Sequence, residues 1–537
     1  MMRVMIPALR RSLDDTDASF RASAARQLGV APGEMGEVQI LRQAVDARKK
    51  GDVFFSVHCC VDLAPKAAKR VLGDKKLHAQ PWQAPEPLSV AHGERPLSGR
   101  VLVVGMGPAG LFAGWLLARE GYRPLIIDRG KAMEDRVRDV EGYWCTGRAD
   151  LESNPLFGEG GAGTFSDGKL TARSKDPRCS TVLDTFLACG AEKEIGILAK
   201  PHVGTDRLRT VVQNLRNEII ALGGEVRFST KLDRIHAEAG QLRAVTLVKN
   251  GIPERIDCGA LVLAIGQGAR DTYGYLFSSG FAMAPKPFAV GVRAEHPQDL
   301  INESQYGPFA RHPKLGAADY KLTGQAGGRG VYSFCMCPGG FVVGAGAGPG
   351  EMVVNGMSNF DRAGKNANAA LVVQVFPEDF GKGALDGMAF QQRLEQAAWD
   401  LGGGEGLAPA CRMADFMAGR RTVSFGAVEP TFRPGVTGAD LNGCLPPFVG
   451  AALREALITF ARQIRDFDMP DAVLTAVESR TSAPVRILRD ESMQSLTHRG
   501  VYPVGEGAGY AGGIVSSAVD GLRAAEAIIS QFRPETP

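Results

Sequence analysis

Residues 101–128 read VLVVGMGPAGLFAGWLLAREGYRPLIID, and this stretch decides the fold. Residues 101–104 form a short, wholly apolar run, as expected of a strand buried on both faces. Gly105-Met106-Gly107-Pro108-Ala109-Gly110 follows and matches G-x-G-x-x-G. In that pattern Gly105 permits the tight turn, Gly107 lets backbone approach a pyrophosphate, and Gly110 lets helix and strand pack closely. Pro108 and Ala109 open a helix whose unpaired N–H groups and partial positive charge suit a diphosphate. A second buried strand over 124–127 ends at Asp128, with Arg129 beside it. That offset, about 20 residues, predicts a carboxylate on a ribose diol that disfavours a 2′-phosphate. Strand, glycine turn, helix, strand is the opening of a doubly wound α/β domain.

Two more glycine clusters lie far from the first. Residues 157–170 read FGEGGAGTFSDGKL, and residues 505–514 read GEGAGYAGGI. The second cluster sits between a strand candidate at 501–504 and a helix over 515–529. The chain has 67 glycines with no collagen-like period, so the clusters mark places where backbone must turn sharply or approach a ligand.

Together with KPHVGTD at 200–206, KPFAVGVR at 286–293, CMCPGG at 335–340 and ESRTS at 478–482, these blocks resemble the bacterial family of uncharacterised FAD-dependent dehydrogenases. That resemblance covers about 101–529. It implies a Rossmann-like, glutathione-reductase-type FAD-binding domain that is discontinuous in sequence. FAD is the implied cofactor. By the same similarity Gly160, Gly161, Gly163, Thr164, Ser166, Asp167, Gly168 and Lys169 run along the diphosphate and flavin. Val226 offers backbone groups to adenine, and Gly266 closes beside the dinucleotide. Gly505 and Glu506 meet the ribityl region, while Gly512, Gly513 and Ile514 begin a helix facing the flavin pyrimidine edge. Many such flavoproteins carry glutamate where this chain has Asp128; the shorter side chain is still expected to reach a ribose hydroxyl.

The remaining sequence divides as follows. Residues 1–78 read as a small N-terminal α+β module, with strands near 3–7, 37–45 and 53–61 and helices over 17–28 and 66–71. Asp17 is the expected N-cap of the first helix. Residues 79–98 are a proline-rich linker. Residues 99–280 are the first part of the FAD-binding domain, 281–494 an inserted α+β substrate or cap domain with alternating strands, and 495–537 the C-terminal part.

Several patterns point away from other chemistries. The stretch Gly163 to Lys169 fits G-x-x-x-x-G-K, but Leu170 stands where a P-loop needs Ser or Thr. The run GAGAGPG at 344–350 precedes strand-like sequence and reads as a hairpin loop, so no second dinucleotide domain is expected. NAD(P)H is then at most a transient electron donor. No C-x2-C pair suggests structural zinc, and no metal site is expected. With 62 basic and 59 acidic residues, no strong nucleic-acid signal exists. No apolar run is long enough for a membrane span and no signal peptide is evident, so a cytoplasmic protein is expected. Oligomeric state is not readable.

Catalytic candidates are few. Lys286, Arg293 and His296 cluster in sequence and suit an anionic substrate, or else salt-bridged surface. His202 reads as a proton donor or a structural residue. Cys335 and Cys337, at i and i+2 of a strand, face one side as a redox pair or as small hydrophobes. The expected function is FAD-dependent oxidation or reduction of a small molecule by hydride transfer at flavin N5. The alternatives are flavin monooxygenation and a non-catalytic FAD protein whose N-terminal module binds protein or RNA.

Overall fold

The computed structural model describes residues 1–84, 86–171, 174–346 and 348–534; Pro85 of the linker and Ala347 of the 344–350 loop lie outside them. The N-terminal region contains β1 (Met2–Ser12), α1 (Asp17–Leu28), β2 (Met35–Asp46), β3 (Phe54–Leu63), α2 (Pro65–Gly73) and β4 (Gln80–Pro81). They form a four-stranded sheet in the order β2-β3-β1-β4. The N-cap of α1 is Thr16 and not Asp17: its hydroxyl accepts from the Ser19 amide at 3.1 Å, closing a capping box.

The linker is extended but not free. Leu88, Val90 and Leu97 pack on the adjoining core, and Arg95–Pro96 pairs with Phe532–Arg533 near the C-terminus. Apolar residues between the prolines explain this: left in solvent, they would forfeit burial.

A seven-stranded sheet follows, built from β5 (Arg100–Val104), β6 (Leu125–Ile127), β7 (Glu225–Arg227), β8 (Thr230–Glu238), β9 (Gln241–Lys249) and β10 (Ile252–Leu263), and completed by a late strand. Its order is β7-β6-β5-β10-β9-β8. Val101, Leu102 and Val103 of β5 are fully buried, as a central parallel strand requires. Helices α3 (Pro108–Arg119), α4 (Met133–Thr146), α5 (Thr205–Ala221) and α6 (Arg270–Ser278) connect these strands or follow them.

The chain then enters a second seven-stranded sheet. It contains β11 (Phe288–Pro297), β12 (Thr323–Ala326), β13 (Arg329–Cys337), β14 (Asn366–Val375), β15 (Ala408–Arg412), β16 (Val436–Gly438) and β17 (Val473–Glu478), in the order β12-β13-β14-β11-β17-β15-β16. Helices α7 (Asp386–Gly402) and α8 (Pro447–Gln463) belong to this part. β11 does not alternate as its sequence suggests. Phe288 to His296 are all buried, because the strand is central and covered on both faces. The 344–350 run joins Phe341–Gly344 to Val354–Met357, an antiparallel hairpin.

Finally β18 (Val501–Pro503) returns to the first sheet, parallel to β10, with Leu261 opposite Val501. Helix α9 (Ile514–Ile529) then packs on α3 within one apolar core. No helix among the described residues is long and apolar enough to cross a membrane.

Candidate functional site

At the carboxyl ends of β5, β6 and β10 a crevice of about 1170 Å³ opens between the two large sheets. Its wall includes Gly105, Gly107, Pro108 and Ala109 on one side, and Gly505, Glu506, Gly512, Gly513 and Ile514 on the other. The volume exceeds the roughly 300–1,000 Å³ of sites for drug-sized ligands.

The turn after β5 is built for close approach. Gly105 has φ +99°, and a Cβ there would collide with the Ala264 carbonyl at the end of β10. Gly110 does not reach the crevice; a Cβ on it would collide with the Gly105 carbonyl, so its absence lets α3 pack on its own turn. The 157–170 segment crosses over this turn. The Gly160 amide donates to the Met106 carbonyl at 2.8 Å, and a Cβ on Gly161 would stand 2.9 Å from the Gly107 α-carbon. Toward the crevice the space is open. A Cβ on Gly107 would meet nothing nearer than 3.8 Å, and one on Gly266 or Gly512 nothing within 4 Å. Bare backbone at these points fits an extended dinucleotide.

Asp128 lines the crevice, yet its carboxylate is already engaged. It accepts from the amides of Met106 at 2.8 Å, Gly130 at 2.8 Å and Gly158 at 2.9 Å. The short side chain thus ties the two glycine segments together, and only its remaining lone pairs are left for a ligand in the crevice. Arg129 also lines the wall, stacked 4.3 Å over Phe157 and ion-paired to Glu152 and Asp271. Val226 does not line it. Val226 lies in edge strand β7 opposite Ile126, and Thr230, Lys231 and Leu232 occupy that end of the crevice.

Arg136, which sequence reasoning missed, organises the second glycine segment. Its guanidinium is fully buried and donates to the carbonyls of Asn154, Pro155, Gly158, Glu159 and Gly161. Burial lowers its pKa to about 10. Nothing local marks it: it falls on the polar-looking helix α4. Gly160, Thr164 and Gly168 lie behind the crevice wall; Thr164 is fully buried, its carbonyl accepting from the Thr205 hydroxyl at 2.6 Å. Gly161, Gly163, Ser166, Asp167 and Lys169 line the crevice itself.

The C-terminal cluster is held by Asp520 of α9, also missed. Its Oδ2 accepts from the Gly505 amide at 2.8 Å, and Arg489 pairs with the same carboxylate at 2.7 Å. Glu506 faces the crevice with its carboxyl pushed up to about 7, by burial against the opposing pull of Lys286. Lys286 lies behind the wall with its pKa lowered by burial.

The second sheet and the segments beside it supply the facing wall: Tyr332 and Cys335 on β13, Glu478 on β17 with Arg480 and Thr481 just after it, and Asn355 on the 341–357 hairpin. Arg480 is held by Glu351 at 2.9 Å and Glu395 at 2.7 Å. Arg293 is neither a surface residue nor an exposed anion binder. It is completely buried and pairs with Glu478 at 2.9 and 3.0 Å. His296 is buried too, stacked on Phe467 with ring centroids 4.3 Å apart, so the sequence cluster of Lys286, Arg293 and His296 does not form one site. His202 bonds the Phe360 carbonyl at 3.0 Å, a structural role, with burial lowering its pKa. Cys335 lines the crevice and Cys337 lies buried behind it.

A mixed α/β sheet with a glycine turn at β5–α3, closed by a glycine-laden helix start from the chain's end, defines a Rossmann-type FAD-binding protein. The chain belongs to the family of bacterial FAD-dependent proteins. It is 47% identical over 537 residues to an "Uncharacterized protein" of Clostridium beijerinckii, covering 99% of both chains. Residues 287–481 match the family described as "FAD-dependent protein, C-terminal domain-like", and residues 5–62 match a domain of unknown function. Among solved structures, a geranylgeranyl bacteriochlorophyll reductase-like protein of Thermoplasma acidophilum is 12% identical with a TM-score of 0.31, over 81% of this chain and 78% of that one. The FrdA subunit of E. coli quinol fumarate reductase is 12% identical with a TM-score of 0.37, over 81% and 70%.

Proposed function

We propose that the protein is an FAD-dependent oxidoreductase that acts on a small molecule entering between the two large sheets. The observation that carries this reading is the single crevice shared by Gly105–Ala109, Gly505–Ile514 and the second-sheet wall. The reading takes the arrangement to be of the glutathione-reductase type. In this reading residues 99–280 and 495–537 are one FAD-binding unit, residues 281–494 an inserted cap, and residues 1–78 an N-terminal module that Gln80–Pro81 extends and whose core is continuous with the cap's.

Each end of the crevice has its task. Asp128 and Thr230 would hold the nucleoside end, and the start of α3 would meet the diphosphate. Glu506 borders the ribityl region. The start of α9 would face the flavin's pyrimidine edge, where a helix N-terminus would stabilise negative charge by about 0.3–2 kcal/mol. Bound FAD supplies two-electron transfer at N5. The facing wall excludes water and orients the substrate with Arg480 and Thr481 as polar groups, and Lys169 of the 157–170 segment adds a cation. A pyridine nucleotide would serve only as a passing donor, since no second dinucleotide turn is recognised. The cytoplasm is the compartment this reading favours.

The test is the native purified protein. Flavin absorbance, FAD in its acid extract, and anaerobic bleaching followed by reoxidation with a metabolite set are expected. A colourless protein that does not take up FAD overturns the reading.

A further inference from the structure

Cys335 and Cys337 sit at an irregularity in β13. The pairing with β14 shifts register between Phe334 and Cys337, and Cys335 adopts φ +43°. A non-glycine residue with positive φ is strained and persists only where its surroundings impose it. Here three groups do so. Arg293 donates to the Cys335 carbonyl at 2.9 Å, Lys169 donates to the Met336 carbonyl, and the Cys337 thiol lies 3.3 Å from the Cys335 carbonyl. The bulge leaves Cys335 on the crevice wall with the Cys337 thiol donating to the Cys335 backbone carbonyl.

The surroundings differ from those of the other buried cysteines. Cys258 and Cys444 are packed in apolar cores, and burial pushes their thiols up to about 12. Cys335 instead has the cations of Lys169 and Arg293 close by. The neighbouring Cys337 thiol, and then those cations, hold its thiol below the ordinary value despite burial. Lys169 belongs to the 157–170 segment and is itself steadied by Asp167 at 3.4 Å, which Arg362 grips at 2.6 Å. Cys335 and Glu506 line the same crevice, and Glu506 borders the flavin in the reading above.

We propose that Cys335 and Cys337 are a redox-active dithiol in two-electron exchange with the FAD of this crevice. The proposal rests on the FAD reading and adds a second redox centre to it. In the oxidised form a bond joins the two sulfurs. Two electrons from the anionic reduced flavin break that bond. The N5 proton goes to one sulfur, leaving one thiol, one thiolate and oxidised FAD. The reverse forms the S–S bond, with the dithiol oxidised and FAD reduced. Cys335 is the sulfur that keeps the negative charge, and Lys169 is its positioning cation.

The test uses the full-length holoprotein, oxidised with glutathione disulfide and freed of it. Anaerobic dithionite titration of the wild type is expected to take up four electrons per FAD, two for the flavin and two for the disulfide. Cys335→Ser and Cys337→Ser are each expected to take up two. In parallel, alkylation under denaturing conditions and peptide mass spectrometry read the pair directly. Both cysteines should be blocked as an internal disulfide before titration and alkylated after it. A wild-type holoprotein that takes up two electrons, with both thiols alkylated throughout, overturns the dithiol and leaves FAD binding intact. A protein without extractable FAD overturns the FAD reading and this exchange with it.

Discussion

Gly521 of α9 lies directly against the carbonyl of Ala109 in α3, so closely that a Cβ on Gly521 would collide with that oxygen. Gly505 meets the same residue, its notional Cβ 2.8 Å from that of Ala109. These contacts bring the two helix starts into one crevice. In an isolated helix Gly→Ala stabilises by about 1 kcal/mol. Here Gly521→Ala should instead destabilise by about 1–3 kcal/mol through overpacking. Urea unfolding of the apoprotein checks the sign; a stabilised variant would show that the helices can separate without cost.

Gly105 and Gly107 should separate stability from binding. Gly105→Ala combines φ +99° with a collision against Ala264, and should unfold the domain or cost about 2 kcal/mol or more. Gly107 has an ordinary backbone, φ −74°, and open space before it. Gly107→Ala should leave apoprotein stability within about 0.5 kcal/mol. It should weaken FAD binding by about tenfold or more, because the methyl enters the ligand's volume. Calorimetric titration with FAD beside thermal unfolding measures both; equal losses in the two would refute the distinction.

Arg136→Lys is expected to behave as a severe change. Lysine keeps the charge but lacks the fork that serves five carbonyls. Carbonyls left without a donor in the interior cost about 1–3 kcal/mol each. The Gly158–Gly161 turn should loosen and FAD retention through gel filtration should drop. Retention at the wild-type level would mean that the turn holds itself.

Asp128→Asn should impair the fold as well as the ligand. The carboxylate accepts three amide hydrogens, and an amide side chain offers only one acceptor oxygen. A loss of about 1.5–3 kcal/mol in the apoprotein is expected. If stability were unchanged and only FAD affinity fell, the residue would be a ribose ligand alone.

Glu506 should give stability a pH dependence of definite sign. Its pKa rises from an ordinary 4.5 to about 7 on folding, chiefly through burial. The folded protein therefore binds the extra proton between those values. Its contribution is fully present below pH 4.5 and is lost as pH rises through 7. Relative to Glu506→Gln, the wild-type apoprotein should lose stability between pH 5 and 8. A pH-independent difference in urea midpoints would contradict the placement of Glu506.

Local chemistry made part of the site legible in advance. Gly105 and Gly110 announce a turn because a Cβ at either would strike backbone, Gly107 announces bare backbone open to a ligand, and the apolar run before them announces a buried strand. Gly512 and Gly513 are readable for the same reason. Arg136 and Asp520 were not, since each looks like an ordinary charged residue on a helix and acts only through groups distant in the chain. Val226 was misplaced because its β-strand character says nothing about which edge of the sheet reaches the ligand. Arg293 and His296 looked exposed by residue type, whereas the central position of β11 buries both.

By itself, then, the amino-acid order determined the strand-turn-helix unit, the glycine clusters and the apolar character of the central strands, all of which depend on neighbours within a few residues. Only the tertiary structure decided that the chain's end comes back beside β10, that Asp128 braces backbone as well as facing the crevice, and that Cys335 shares a wall with Lys169. Those relations depend on through-space contact between segments, and a linear pattern of residue types does not encode which buried surfaces will meet.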